Sequence, residues 1–236
     1  LSYGDWLAAP REKKFFEGGR LLFREIPGTS KRIQASYIDS EAYYGHSISP
    51  FIAHDSSKDN LLFILSIANS TITSWYGRLV FPNFSKDIFP KINPADISSI
   101  PIVSCMETER NELSSLADAQ LAANEQLQKY TQKFLNRVQS TLGVAKVTEK
   151  LSEFYKYDFS VFQSELKKQK IKLSLREQDD WEEYFNGYRQ DCTRLLLEIE
   201  ENDRQIDKLV YDLYGLTDEE IAIVEGKSQN SPDEEI

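Results

Sequence analysis

The chain has 236 residues, of which 28 are basic and 38 acidic, so its net charge at neutral pH is -10. This length allows one or two domains, and a hydrophobic content of 40% is enough to build a core, which excludes a globally disordered chain. There is no run of about 18 apolar residues, which excludes a membrane-spanning helix. No basic-then-apolar segment opens the sequence, so we expect no signal peptide. The two cysteines, Cys105 and Cys192, indicate no disulfide framework, so we expect the reducing cytoplasm as the compartment.

The charge is unevenly distributed along the chain. Residues 1–104 carry 11 basic and 10 acidic side chains, residues 1–35 carry seven against four, and the part after 104 carries 17 against 28. We place a domain boundary between 104 and 105, where prolines and aromatic residues give way to a stretch rich in Glu, Gln, Ala and Leu. The acidic total does not exclude a nucleic-acid ligand, because the local field steers a polyanion. Since the chain opens at Leu1 without an initiator methionine, we expect a piece of a longer protein.

Short apolar segments bounded by turn signals predict strands in the N-terminal part. The clearest covers residues 20–26 and ends at Pro27-Gly28, and two others cover 33–38 and 47–51. Tyr43 to His46 lie in the connection between the last two strands.

A nearly continuous apolar run from 61 to 70 predicts a buried helix. Asp59 and Asn60 precede it, and we expect one of them to cap its N-terminus. Four prolines between 81 and 101 predict mostly irregular structure there. The first 104 residues therefore form a mixed α/β domain.

Helical periodicity dominates the second part of the chain. Residues 107–142 contain no proline or glycine, and their apolar residues recur at steps of three and four or multiples of these: Leu113, Leu116, Ala123, Leu127, Tyr130, Phe134 and Val138. A second series alternates steps of three and four without interruption, which is the heptad seam of a coiled coil: Phe185, Tyr188, Cys192, Leu195, Ile199, Asn202, Ile206, Leu209 and Leu213.

These two helices are expected to form a long antiparallel hairpin, with Asn202 as a polar seam residue that fixes the register. Gly215 should end the second helix, and Thr217 with Glu220 forms a capping box that starts a short last helix. The predicted fold class is α+β. The predicted domains are the α/β domain at 1–104, the hairpin at 105–226 and a disordered acidic tail at 227–236.

The motifs of common catalytic chemistries are missing from the sequence. It has no glycine-rich phosphate loop, no ligand spacing for zinc and no Gly-x-Ser-x-Gly turn, and His46 and His54 have no carboxylate-rich neighbours at ligand spacing. Asp158 with Glu165 and Lys167 imitates the acidic triad of metal-dependent nucleases, but the surrounding sequence is helical and lysine-rich. We rank a nuclease third among the interpretations and expect no catalytic, cofactor or metal site in this chain.

Basic residues interleaved with aromatic residues and turns are the positive signal. The candidate DNA-binding residues are Arg11, Lys13, Lys14, Arg24, Lys31, Arg32, Tyr43, Tyr44, His46 and Lys86. Arginine can donate two hydrogen bonds to guanine, and both lysine and arginine neutralise phosphates. Lys86 and the nearby Lys91 either contact phosphate or only keep a loop soluble, and basic surface loops also arise without any function.

Four segments of the chain occur in a recognisable order. They are residues 3–11, followed by Phe15-Phe16 and the strand end at 24–26; residues 61–76; residues 89–102; and residues 206–221. Together they resemble the C-terminal target-recognition (specificity) domain of adenine-specific DNA methyltransferases. That family includes fused type II restriction-modification enzymes and is related to the specificity subunits of type I restriction systems. The resemblance covers roughly residues 3–225.

The resemblance implies an α/β domain that reads bases in the major groove of double-stranded DNA and a helical hairpin that spaces and docks it. It also implies an upstream domain that binds S-adenosylmethionine and methylates adenine. The Asn/Asp-Pro-Pro-Tyr/Phe motif of such a domain is absent here, so we expect recognition of DNA without catalysis. Arg11 and Arg24 are the residues that the resemblance itself transfers. The alternative is a protein-interaction module that acts through the hairpin and does not bind DNA.

Overall fold

The computed structural model describes residues 12–28, 31–86 and 89–227. The chain divides into two compact units: the sheet unit, residues 1–118 with 203–236, and the helical unit, residues 119–202. Two long helices, α4 at Glu107–Leu142 and α7 at Leu175–Tyr214, contribute residues to both units. The domain limits expected at 104/105 and 226/227 stay predictions, and most of the expected tail lies outside the described residues.

Among the described residues, the sheet unit contains three antiparallel strands in the order β2-β1-β3. They are β1 at Arg20–Arg24, β2 at Ala35–Ile38 and β3 at Ile48–Phe51, which confirms the three predicted strands at slightly shorter lengths. Leu22 of β1 pairs with Ser36 on one side and with Pro50 on the other. Pro50 is tolerated because β3 is an edge strand, where a missing N–H breaks no ladder.

Two consecutive helices cover the apolar run that follows the strands. Helix α1 spans Lys58–Asn69 and buries residues 61–63 and 65–68, as predicted. The cap predicted at Asp59 or Asn60 is wrong: Ser57 occupies the N-cap position, because Asp55 accepts hydrogen bonds from its backbone N–H and its hydroxyl, each at 3.0 Å.

Helix α2 spans Thr71–Val80 and was not predicted as a separate element. Ser70 ends α1 and caps α2 by accepting from the backbone N–H of Thr73. The described residues between 81 and 101 are mostly irregular, as predicted, and the one helix among them is the short α3 at Pro94–Ser98. Asp96 in the first turn of α3 accepts a 2.8 Å hydrogen bond from the backbone N–H of Asn93.

The ends of the long helices complete the sheet unit. A cluster of buried side chains joins α1 to both of them: Phe63, Ile67, Leu113, Ile206 and Val210. Helix α7 ends at Gly215, whose φ of 68° is left-handed, and the capping box of Thr217 and Glu220 opens α8 at Asp218–Val224. Both predictions are confirmed.

The helical unit is built around aromatic rings. It contains the remaining parts of α4 and α7 and two short helices between them, α5 at Glu149–Ser152 and α6 at Phe159–Lys168. Tyr130 contacts Tyr188 with ring centroids 6.1 Å apart, and Phe134 contacts Tyr184 at 6.0 Å, so α4 and α7 run antiparallel in this unit. Every residue of the predicted seam is buried or half-buried. None of the helices in the described ranges is long and apolar enough to cross a membrane.

Candidate nucleic-acid interface

The predicted DNA-binding residues fall into separate environments in the sheet unit. Arg11 lies outside the described residues, and the other nine are placed. The first group lies before β1, where Lys13 and Lys14 form a short 3-10 turn. Lys13 makes a 2.8 Å ion pair with Glu17, and Lys14 makes one of 2.7 Å with Glu12. The hydrogen bond with Glu17 raises the pKa of Lys13. These exposed cations are therefore locally matched by carboxylates.

Tyr43 and Tyr44 pack against the same segment. Their rings lie 5.1 and 5.3 Å from the ring of Phe16, centroid to centroid. The hydroxyl of Tyr44 donates to the carbonyl of Phe15, and that of Tyr43 donates to Glu41, which raises the pKa of Tyr43. Both rings thus have a packing role whatever else they contact.

Arg20, at the first position of β1, has a structural role that the sequence analysis did not assign. Its side chain is fully buried and donates to the carbonyls of Gly18 at 2.7 Å and Ser40 at 3.1 Å. It therefore holds the connection between β2 and β3 against the sheet. No pattern in the sequence marks it, because arginine is rarely buried and its acceptors here are backbone carbonyls.

The adjacent residues Lys31 and Arg32 have different surroundings. Lys31 is exposed, with a φ of 51°. Arg32 is half-buried and donates to the carboxylate of Asp203 at 2.6 Å and to the carbonyl of Asn69 at 2.7 Å. Asp203 is 171 residues away in the chain, so no local pattern could have indicated this pair. The guanidinium of Arg32 is already occupied by the helical part of the sheet unit.

A second group of cations gathers around Glu25, where β1 ends. The buried carboxylate of Glu25 accepts from the hydroxyl of Ser49 at 2.7 Å and pairs with Lys91 at 3.0 Å. Its backbone N–H donates to Ser47, next to His46, and its carbonyl accepts from Ile92, next to Lys91. Glu25 thereby brings two distant loops to the exit of one strand.

Arg24 is exposed at this exit, and only a long 3.5 Å contact joins its Nη1 to Oε1 of Gln34. The turn after β1 closes where the backbone N–H of Lys31 donates to Gly28, whose Cα lies beside the Arg24 guanidinium. A second loop closes where the N–H of Lys91 donates to the carbonyl of Asn83, and this loop carries Lys86. We call the resulting set the strand-end rim: Arg24, Lys31, His46, Lys86 and Lys91.

The strand-end rim can present several kinds of donor to an anion. Arginine offers a planar pair of N–H groups, and lysine offers a mobile point charge. Glu25 is a carboxylate in contact with the rim, and it is engaged by Ser49 and Lys91. Four of the five rim residues were candidates from the sequence. Lys91 was considered together with Lys86, as a phosphate contact or as a residue that keeps the loop soluble, but it was not among the candidates.

The nuclease-like spacing does not form a site. Asp158 stands at the N-cap position of α6, pairs with Arg189 at 3.0 Å and is exposed. Glu165 lies about 10 Å further along the same helix. It is buried and accepts from Thr148 at 2.8 Å and Lys168 at 2.6 Å. Within the described ranges, no three His, Cys, Asp or Glu side chains are grouped so that they could hold a metal ion.

Comparisons with known proteins define the two parts of the chain separately. The first part is a specificity domain of the kind found in restriction-modification enzymes, which confirms the resemblance stated from the sequence. More particularly, residues 2–102 match the TaqI-like C-terminal specificity domain. Residues 106–210 match a different family, described as a domain of unknown function (DUF8810). No curated protein and no solved structure matches the chain.

Proposed function

We propose that this chain recognises a target sequence in double-stranded DNA on behalf of a catalytic domain elsewhere in its parent protein. The parent is an adenine-specific DNA methyltransferase, and S-adenosylmethionine is the cofactor of that other domain. The chain itself has no catalytic role. The helical region acts as a spacer between the reading domain and its partner, and the protein works in the cytoplasm. The observation that carries the proposal is the specificity-domain family of residues 2–102.

The strand-end rim is the part of the sheet unit best suited to read bases. Arg24 is the last residue of β1, and backbone hydrogen bonds close the turns on which the other rim residues lie, so the side chains project from defined positions. Arg24 is the main candidate for a base contact, because it is exposed and, among the described residues, its guanidinium makes one long hydrogen-bond contact, with Gln34. An arginine of this kind can donate two hydrogen bonds to O6 and N7 of guanine.

The remaining rim cations support that contact. Lys31, Lys86 and Lys91 would contact phosphates and set the register of the domain on the duplex, which is the usual division between backbone and base contacts. Lys13, Lys14, Tyr43 and Tyr44 would add contacts from the start of β1, although each already has a partner within the protein. Arg32 ranks last, because its contacts with Asp203 and Asn69 would have to break.

Selection from a random duplex library tests the proposal directly. The full chain should enrich one sequence, and Arg24→Ala should weaken binding to it by about 10-fold, in line with the usual contribution of ~1–3 kcal/mol for a bidentate arginine–guanine pair. Arg78→Ala is the matched control, because Arg78 is an exposed arginine in the last turn of α2. Equal effects of the two substitutions would place base reading elsewhere. Failure to enrich any sequence would contradict the proposed function itself.

The competing interpretation, a scaffold that pairs through the α7 seam, needs that seam to be free. All its residues are buried or half-buried within this chain, including Asn202 at 9% exposure. A second copy could use them only if the chain opened. Analytical ultracentrifugation in the absence of DNA separates the two interpretations: a stable dimer would favour the scaffold, and a monomer favours the DNA-reading domain.

A further inference from the structure

The helical unit is not the acidic part of the molecule. Residues 119–202 carry 13 basic and 14 acidic side chains, so they are nearly neutral. The two signs are segregated: residues 166–176 carry five basic side chains and no acidic one, whereas residues 177–201 carry two basic and nine acidic. A nearly neutral unit with segregated charges has a basic end, and the contacts within the unit define which residues form it.

Three hydrogen bonds bring the basic residues of two chain segments together. The side chain of Gln169 donates to the carbonyl of Lys146 at 2.8 Å and accepts from its backbone N–H at 3.2 Å. Thr148 donates to Glu165 at 2.8 Å, which ties the start of α5 to α6. The set that results is called the lysine cluster: Lys146, Lys150, Lys167, Lys168, Lys170 and Lys172. All six side chains belong to exposed residues.

Most of the lysine cluster has no neutralising partner. Lys168 pairs with the buried Glu165 at 2.6 Å, and Lys150 lies 5.7 Å from the ring centre of Tyr157. In the part of the chain that the structure describes, no carboxylate lies within ion-pair distance of Lys167, Lys170 or Lys172. These three charges are therefore available to a ligand, in contrast to Lys13 and Lys14 of the sheet unit.

Lys170 occupies a position where glycine is the usual residue. Helix α6 ends in a Schellman motif, in which the N–H of Ile171 donates to Leu166 and the N–H of Lys170 donates to Lys167. This puts Lys170 in the left-handed region with a φ of 63°. Helices α7 and α8 end in the same motif with Gly215 and Gly226 at the equivalent position. Lys170 therefore has a strained backbone conformation, whereas glycine avoids this strain at the ends of α7 and α8.

We propose that the lysine cluster binds the sugar-phosphate backbone of double-stranded DNA without sequence preference. The proposal rests on DNA being the ligand of the protein, as proposed above, but it does not depend on which residues read the bases. A backbone contact fits the chemistry, because lysine is a mobile point charge suited to phosphate oxygens. An acidic protein partner fits less well, because lysine is depleted in the cores of protein interfaces.

Salt dependence of binding to a random-sequence duplex tests the cluster, since each phosphate contact contributes about 0.9 to the slope of log K against log salt. The triple variant Lys167→Gln, Lys170→Gln, Lys172→Gln in the full chain should lower that slope by about 2 to 3. The control triple variant Lys129→Gln, Lys156→Gln, Lys208→Gln makes the same change in net charge at exposed lysines outside the cluster. It should lower the slope by less than about 1.

Lys170→Gly separates charge from folding. It relieves the left-handed backbone, so the thermal midpoint should hold or rise, while the salt slope falls by about 1. An unchanged slope in both the triple and the glycine variant overturns the cluster, and so does an equal loss in the control triple variant. These outcomes leave the rim intact, because its test is the loss of target preference in Arg24→Ala. If the lysine cluster binds DNA but the rim does not read bases, the triple variant will lower the salt slope although the unmodified chain shows no target preference.

Discussion

The strand-end rim and the lysine cluster present their cations in different ways. At the rim, Arg24, His46 and the lysines of two loops are collected around one buried carboxylate, Glu25, and a backbone hydrogen bond closes each loop. In the cluster, one residue type is repeated over two adjacent segments, and the charges of Lys167, Lys170 and Lys172 are unpaired. The first arrangement suits directional hydrogen bonds, and the second suits attraction to a uniformly charged surface. On this proposal, the strand-end rim provides sequence specificity and the lysine cluster adds affinity that does not depend on sequence.

The two units also differ in the interactions that stabilise their interiors. Long-range polar contacts tie the sheet unit together: Asn69 pairs with the backbone of Ala35, Thr71 with Asp207, and Arg32 with Asp203. The helical unit relies on aromatic packing, in which Phe134 contacts five other rings. Substitutions that remove packing or a single charge should therefore separate the contributions of the two units.

The largest effect is expected for Phe134→Ala in the helical unit. Phe134 is fully buried, and its ring stacks on that of Phe154 at 3.9 Å. Truncation should lower the free energy of unfolding by about 3–5 kcal/mol, because it removes aromatic burial and leaves a cavity. Urea unfolding followed by near-ultraviolet circular dichroism measures this loss. The lysine cluster should lose its order with the unit, so the salt slope should fall as in the triple glutamine variant.

Phe89→Ala is the control for that experiment. Phe89 is 82% exposed, so its truncation should change stability by no more than about 0.5 kcal/mol. If Phe134→Ala lowers the free energy of unfolding by no more than Phe89→Ala does, the aromatic core does not stabilise the helical unit.

Glu165→Gln should have the next largest effect, about 1–2 kcal/mol at neutral pH, because it removes a charged acceptor of two hydrogen bonds. The hydrogen bond from Lys168, followed by that from Thr148, lowers the pKa of Glu165. A carboxyl whose pKa is lower in the folded state stabilises the protein above its unfolded pKa, and this stability is lost as pH falls through the folded pKa. The variant should therefore be less stable at pH 7 and less sensitive to acid.

Glu182→Gln is a suitable control, because Glu182 is an exposed residue of the same unit. Urea unfolding of both variants between pH 3 and 7 makes the comparison. If Glu165→Gln keeps the acid sensitivity of the unmodified chain, the contacts with Lys168 and Thr148 do not set the pKa of Glu165.

The elements that sequence analysis predicted correctly are those with a local chemical cause. Pro27-Gly28 ends the first strand region, Gly215 ends α7, and Thr217 with Glu220 caps α8, each within a few residues of its cause. The α7 seam was visible because its period is set by the helix itself. The beginning of α1 was misplaced because Ser57 and Asp55 form a turn that competes with the caps available at Asp59 and Asn60.

The candidate site was only partly predictable, because its arrangement depends on contacts between distant residues. Arg24 was found from its position at a strand end and from the family resemblance. Arg32 looked equivalent to Lys31 until Asp203, far away in the chain, was seen to hold it. Glu25 organises the rim through Ser49 and Lys91, and none of these three residues signals the others. The lysine cluster was not predicted, since its two segments meet only in the folded unit.

Asn202→Leu tests a position of the α7 seam where, in the described part of the chain, a buried polar group lacks a hydrogen bond. Asn202 is 9% exposed, and among the described residues its Nδ2 has no hydrogen-bond partner. Leucine should raise the free energy of unfolding by about 1 kcal/mol, because it removes an unsatisfied polar group from the seam. Thermal unfolding measures the gain. A loss of stability would show that the amide contributes more to the seam than its unpaired nitrogen indicates.

The smallest change at neutral pH, within about 0.5 kcal/mol, is expected for Asp207→Asn in the sheet unit, because asparagine keeps an acceptor for Thr71. Burial raises the pKa of Asp207, and the hydrogen bonds from Thr71 and the charge of Arg32, 3.9 Å away, lower it by less. A raised carboxyl pKa means that the folded state holds the proton more tightly. Its contribution to stability is therefore complete at acid pH and falls as pH rises from the ordinary aspartate range through the folded pKa.

Asp207→Asn should remove that decline, so its effect on the pH profile is opposite in sign to that of Glu165→Gln. Urea unfolding of the two variants over one pH series compares the units directly. The stability of Asp207→Asn relative to the unmodified chain should increase with pH, and that of Glu165→Gln should decrease. Profiles of the same sign would mean that the two carboxylates have similar surroundings. The contrast between a sheet unit that desolvates its carboxylate and a helical unit that pairs one would then be wrong.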